Sequence, residues 1–237
     1  MVTSEHFRTS SIQGVLFTPD ASQFSQTSIL ATVLGQYASV YDGRVEAWPI
    51  PDEAPAEFPR LVLQSKDGTF KLQASPGRID SFWIAQEEDH GANPLTCIEV
   101  LEHYLRSTKP ALQIGRLALV TKRFALEDNP AQTLIERFCN AESRARPFNN
   151  SQSFEIHNHK RYMLPSYGSQ INSWVRCRTG VLNRQPQQNL ISVEQDINTL
   201  KEDEVGVNFD ADKVRDFFAS ARTETDAILR IYFPPEG

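Results

Sequence analysis

Arg60-Leu61-Val62-Leu63-Gln64-Ser65 runs into Lys66-Asp67-Gly68, then Thr69-Phe70-Lys71-Leu72-Gln73-Ala74-Ser75, then Pro76-Gly77, then Arg78-Ile79-Asp80-Ser81-Phe82-Trp83-Ile84-Ala85. Three short runs rich in β-branched and aromatic residues are separated by two turn signals. Asp-Gly readily supplies the positive φ of a tight hairpin. The stretch predicts an antiparallel meander, with Phe70 and Leu72 on one face of its middle strand.

The flanking sequence extends this pattern. Upstream, Gly14 to Thr18 reads as a short strand stopped by Pro19, and Ser25 to Tyr37 as a helix capped by Ser25 or Thr27. The proline-rich run Pro49 to Pro55 excludes a helix. Downstream, Asn93-Pro94 and Asn129-Pro130 both look like helix starts, because asparagine caps well and proline at the first helical position loses no needed hydrogen bond. Ile114 to Phe124 reads as the strand between those helices. Phe154 to Leu164, Ile171 to Leu182 and Leu190 to Leu200 give three more strands. A last helix runs from about Ala211 to Ile231, with Asp210 as its cap and Val214, Phe217, Phe218, Ala221, Ile228 and Ile231 as its apolar stripe.

The order is therefore β-α-β-β-β-α, twice. The expected fold is α+β: an antiparallel sheet built from two halves, residues 1–110 and 111–237, with helices mainly on one face. Residue-level identity between the halves is slight, so the repeat is one of pattern.

Composition is that of a globular chain: 237 residues, 40% hydrophobic and 23% charged, with a formal charge of −6. No apolar run approaches the ~20 residues that span a bilayer. The segment Met1 to Thr18 lacks the basic-then-apolar pattern of a signal peptide. Cys97, Cys139 and Cys177 are too few and too far apart for a disulfide framework. These features predict a reduced, cytoplasmic protein. Charge is uneven: residues 141–190 hold 7 basic and 2 acidic side chains, and residues 191–237 hold 5 and 11. A basic segment in an acidic chain is either an anion-binding face or the counter-charge to its acidic neighbour.

Phosphate-binding glycine loops, nucleophile elbows and His-Glu-x-x-His helices are absent from the sequence. Two constellations remain. Glu155, His157 and His159 alternate along one predicted strand and would share a face, a donor set suited to a divalent metal such as zinc or iron. Alternate residues lie ~6.6 Å apart, so all three reach one ion only across a bulge; otherwise they form a solvated strand face. Trp174, Arg176 and Arg178 alternate on the next strand, beside Arg161 and Tyr162, with Tyr167 in the connection. Arginines with exposed aromatics hold phosphates and stack bases; the alternative is pairing with Glu194, Asp196 or Glu202-Asp203-Glu204. Cys177 faces away from Arg176 and Arg178. A Cys177–His157 pair requires the two strands to align in register. Asp80, Glu87, Glu88 and Asp89 beside His90 read as a solvated acidic loop.

The chain resembles a family of conserved, uncharacterised prokaryotic proteins of about 250 residues, sporadically distributed among bacteria and archaea. The resemblance rests on Pro59 to Leu63 leading through Asp67-Gly68 into Leu72 to Trp83, on Val193 to Asn198, and on the Phe217-Phe218 pair of the closing helix. It implies no catalytic residue, and a sporadic distribution fits mobile or defence gene clusters. The leading expectation is a non-catalytic protein that binds a protein partner or a second copy of itself. The alternatives are a nucleic-acid or nucleotide binder through the basic-aromatic face, and a metal-dependent enzyme through Glu155, His157 and His159.

Overall fold

The computed structural model describes residues 2–51, 53–86, 91–108, 112–182 and 187–236. In chain order the elements are β1 (Arg8–Phe17), α1 (Gln26–Tyr37), β2 (Val45–Ala47), β3 (Leu61–Gln64), β4 (Phe70–Ser75), β5 (Arg78–Ile84), α2 (Thr96–Ser107), β6 (Arg116–Leu126), α3 (Pro130–Phe138), α4 (Ala141–Ala145), β7 (Glu155–Met163), β8 (Gln170–Leu182), β9 (Gln188–Thr199) and α5 (Ala211–Tyr232). The fold is α+β. The strands form one sheet in the order β2-β3-β4-β5-β1-β6-β9-β8-β7, and each neighbouring pair is antiparallel.

The meander is as expected. Gly68 sits at φ 77°, and Asp67 Oδ1 accepts from the Thr69 amide at 2.9 Å to close the turn. Phe70 and Leu72 share a face, opposite Trp83 and Ser81 of β5. Ser25 accepts from the Ser28 amide and Asp210 from the Lys213 amide, so both caps form. Pro130 opens α3, although Asn129 makes no side-chain cap bond. The boundary expected between residues 110 and 111, and the residues Glu87 to His90, lie outside the described residues.

The structure differs from expectation at four elements. α2 starts at Thr96 with Leu95 at its cap position and no side-chain cap bond; Asn93 accepts instead from the Leu95 amide, in the turn before the helix. β1 starts at Arg8 rather than Gly14. Its first half, Arg8-Thr9-Ser10-Ser11, lacks strand-like apolar alternation, and its pairing with β6 shifts register between Thr9 and Ser11. β2 and α4 are three and five residues long, too short for periodicity to reveal them. Outward from the central β1–β6 pair the order is β5, β4, β3 on one side and β9, β8, β7 on the other.

The helices cover one sheet face. Ile12, Leu16, Leu117, Leu119, Val193 and Ile197 share it by register and pack in one core with Ile29, Leu101, Phe217 and Phe218. Hydrogen bonds tie this layer together: Tyr41 Oη, in the segment after α1, lies 3.3 Å from Ser81 Oγ of β5, Gln195 of β9 donates to the Thr225 carbonyl of α5 at 2.8 Å, and Arg137 of α3 donates to the carbonyls of Val2 and of Tyr232 in α5. Burial of this apolar layer is the main stabilising term, at roughly 25 cal/mol per Å². α1, α2, α3 and α5 all send buried side chains into this core.

Candidate functional site

Pairing in register aims opposed side chains at the same face of a sheet. In β7 and β8, Glu155 opposes Arg178, His157 opposes Arg176, His159 opposes Trp174 and Arg161 opposes Asn172. In β8 and β9, Asn172 opposes Asn198, Trp174 opposes Asp196, and Arg176 opposes Glu194. The two sequence constellations therefore merge into one surface, on the helix-free face. Tyr162 does not join it. The strand's alternation sends Tyr162 to the other face, where its hydroxyl donates to Glu224 Oε1 at 2.6 Å.

Trp174 is the centre of this surface. The His159 ring stacks on its indole with centroids 3.8 Å apart and planes 9° from parallel. His157 approaches at 5.1 Å and 43°. Arg176 Nε lies 2.9 Å from Glu155 Oε1. A depression of about 250 Å³ is bounded by His157, Trp174, Arg176, Glu194 and Asp196. From its edge a polar ladder runs across the strands: Asn198 Nδ2 donates to Asp196 at 3.0 Å, Asn172 Nδ2 to Asn198 at 3.3 Å, and Arg161 Nε to Asn172 at 2.8 Å. Nearer the sheet centre, the guanidinium groups of Arg78 and Arg116 lie 5.0 and 3.9 Å from the Phe17 ring centroid. Gln13 donates to Asp80 at 2.7 Å, and Asp80 also holds Arg78.

Most cations on this face already have carboxylate partners. Arg161 pairs with Glu202 at 2.7 Å, Lys122 with Glu194 at 3.0 Å and Arg116 with Glu204 at 3.7 Å. Arg178 is exposed and has no hydrogen bond or ion pair among the described residues. Part of the basic segment is thus matched by the acidic stretch after it, and Arg161–Glu202 is one of the pairings the sequence allows. Glu202, on the surface, is held below the usual carboxylate range by backbone amide donation and by Arg161.

The three metal-ligand candidates are engaged otherwise. Glu155 holds Arg176 and both imidazoles lie against Trp174. Among the described residues no group of three or more His, Cys, Asp or Glu side chains is placed to hold a metal ion. Cys177 opposes Ile156, not His157, and is buried on the helix-covered face. Burial pushes its thiol up to about 12, so it is no nucleophile for His157.

Glu194 and Asp196 enter the sequence reading only as counter-charges. Their alternation with buried Val193, Gln195 and Ile197 was the signal that they face outward together. Burial raises the Asp196 carboxyl, against opposing effects from Asn198 and Arg116. The folded chain therefore keeps a proton that the unfolded chain releases near ~3.9. The stability this group contributes is present below that value and lost as pH rises through the folded one. Asp196→Asn is expected to raise Tm at neutral pH and to flatten the pH dependence on the acid side, read by thermal unfolding across mildly acidic to neutral buffers. A variant less stable than the parent at neutral pH would contradict this.

Fold and face together define the class: an antiparallel sheet armoured by helices on one side, with an aromatic and charge-paired surface on the other. No protein-family model and no curated protein matches the chain. Among solved structures it is similar to the di-domain ARO/CYC BexL from the BE-7585A biosynthetic pathway, at 10% identity over 97% of this chain and 100% of that one. The TM-score is 0.23, at which the likeness carries no inference about fold or activity.

Proposed function

We propose that this chain is a non-catalytic binding protein that holds a protein partner on the helix-free face of its sheet. The observation that carries the reading is the one-sided cover: the open face presents Trp174, Arg176 and Arg178 beside His157 and His159. Tryptophan and arginine dominate the energetics of protein interfaces. Protein is favoured over nucleic acid because Lys122, Arg161 and Arg176 are already matched by carboxylates, which leaves few cations for phosphates. The resemblance noted above supports a place in a cytoplasmic, prokaryotic multi-protein system of the defence or mobile-element kind. Among the described residues no helix is long and apolar enough to cross a membrane.

The test is native mass spectrometry of the protein purified gently from its host, beside the double variant Trp174→Ala, Arg178→Glu. The parent should carry a second protein mass that the folded variant loses. Removing one such anchor costs about 2 kcal/mol, roughly thirty-fold in affinity. A variant that retains the partner overturns the assignment of the face. Retention of DNA or RNA on filters at ~50 mM salt, where phosphate contacts are strong, overturns it in favour of the nucleic-acid reading.

A further inference from the structure

On the other side of the sheet, between α2 and α5 and above the β1–β6 pair, lies a cavity of about 540 Å³. That is several times the roughly 150 Å³ that encloses a benzene molecule. Beyond one end of it the helices are tied by Arg106 and Asp212 at 2.9 Å. Its apolar wall comes from Ile12, Leu119, Ile98 and Phe218, and the last three are buried. A concave, mostly apolar space with a few placed charges is the usual form of a small-molecule site.

The charges at its rim decide what it would take. Arg123 is buried and holds Asp226 at 2.6 Å. Arg215 holds Asp212 and Asp216, each at 3.0 Å. Both guanidinium groups are therefore already engaged by carboxylates. Glu99 and Glu102 also line the cavity from α2, and neither has a hydrogen bond or ion pair among the described residues. Burial raises the Glu102 carboxyl, outweighing the nearby Arg106 and Arg215. Arg222 is the remaining lining cation, and the lining as a whole balances: Arg123, Arg215 and Arg222 against Glu99, Glu102 and Asp226. Among the described residues, however, two of its carboxylates and one of its guanidinium groups have no ion pair, so a cation finds two acceptors on α2 where an anion finds one donor.

We infer that this cavity binds a small amphipathic amine, its apolar body on Ile12, Ile98, Leu119 and Phe218 and its ammonium group donating to Glu99 and Glu102. The site is separate from the open face and stands or falls apart from it.

Titration calorimetry of the full chain with phenethylamine and with hydrocinnamate tests this, because the two probes share a phenyl group and an ethylene spacer and differ in the sign of the charge. The amine should bind saturably and the carboxylate should not. Glu102→Gln should weaken the amine roughly tenfold, the lower end for a lost charge-assisted hydrogen bond. Ala219→Trp, placed at an exposed rim position of α5, should fill the mouth and abolish binding while circular dichroism stays unchanged. Glu99→Gln serves as the second charge variant if Glu102→Gln does not fold. Equal binding of hydrocinnamate, undiminished binding to the Ala219→Trp protein, or no saturable heat with millimolar phenethylamine would each overturn the inference.

Discussion

Phe217→Ala is expected to cost about 4 kcal/mol of folding stability, within the range for a buried phenylalanine truncated in place. Phe217 is fully buried on the core side of α5. Its ring meets Phe218 at 5.4 Å and 68°, and Tyr167, in the β7–β8 connection, at 5.6 Å and 72°. Alanine there removes the apolar contact and leaves a cavity between the long helix and that connection. The sheet cannot collapse into the gap, since the backbone on both sides is fixed by ladder and helix bonds. For a chain of this length the loss corresponds to a fall in Tm of roughly 8–16 °C. Urea unfolding should show a lower midpoint at unchanged m. A loss below about 1 kcal/mol would mean that α5 is not seated as described. The consequence reaches the open face: α5 carries Glu224, which holds Tyr162 of β7, and Asn158 of β7 donates to Tyr232 Oη of α5 at 3.0 Å. β7 is an edge strand with one neighbouring strand, β8, so loosening α5 also loosens the strand that carries His157 and His159.

That coupling explains what the sequence could and could not reveal. The elements were legible wherever period and punctuation agreed. Asp67-Gly68 demanded a turn, Asn129-Pro130 a helix start, and the stripe of Val214, Phe217, Phe218 and Ala221 a helix lying on a sheet. Period 2 along β8 also separated Trp174, Arg176 and Arg178 from Cys177, and the structure keeps them on opposite faces. Register was not legible, because it depends on pairings between strands separated by loops. The histidines and the arginines therefore read as two rival sites, whereas the pairing of β7 with β8 makes them one surface. Tyr162 is a different case: alternation within β7 alone separates it from Arg161, without any register, because adjacent residues of a strand point to opposite faces. The cavity under α2 and α5 was invisible for a further reason. Its walls come from residues around 12, 98, 119 and 218, and only the packing of two helices on the central strands brings them together.

The central strands are also where a single methyl group should matter most. Gly115→Ala is expected to destabilise the fold by about 3 kcal/mol, the upper end for overpacking, because the obstruction is backbone and not a flexible side chain. Gly115 stands just ahead of β6, and its amide donates to the Phe17 carbonyl at 3.0 Å, joining the ends of β1 and β6. A Cβ on this residue would overlap the carbonyl oxygen of Glu204 and lie 2.9 Å from its carbonyl carbon. Relief requires one of two movements. If the segment after β9 backs away, Glu204 withdraws from Arg116, which then stands over Phe17 without its carboxylate. If β6 backs away, the central β1–β6 pairing opens at that end. Both movements disturb the open face at its centre, so the substitution should combine a fall in Tm of roughly 6–12 °C with weaker partner retention. Phe217→Ala acts on that face from the opposite side, through α5 and β7. Thermal unfolding of Gly115→Ala, with binding measured well below its transition, separates the stability effect from the binding effect. Stability within about 0.5 kcal/mol of the parent would show that the Glu204 segment yields freely, and that it does not brace the open face.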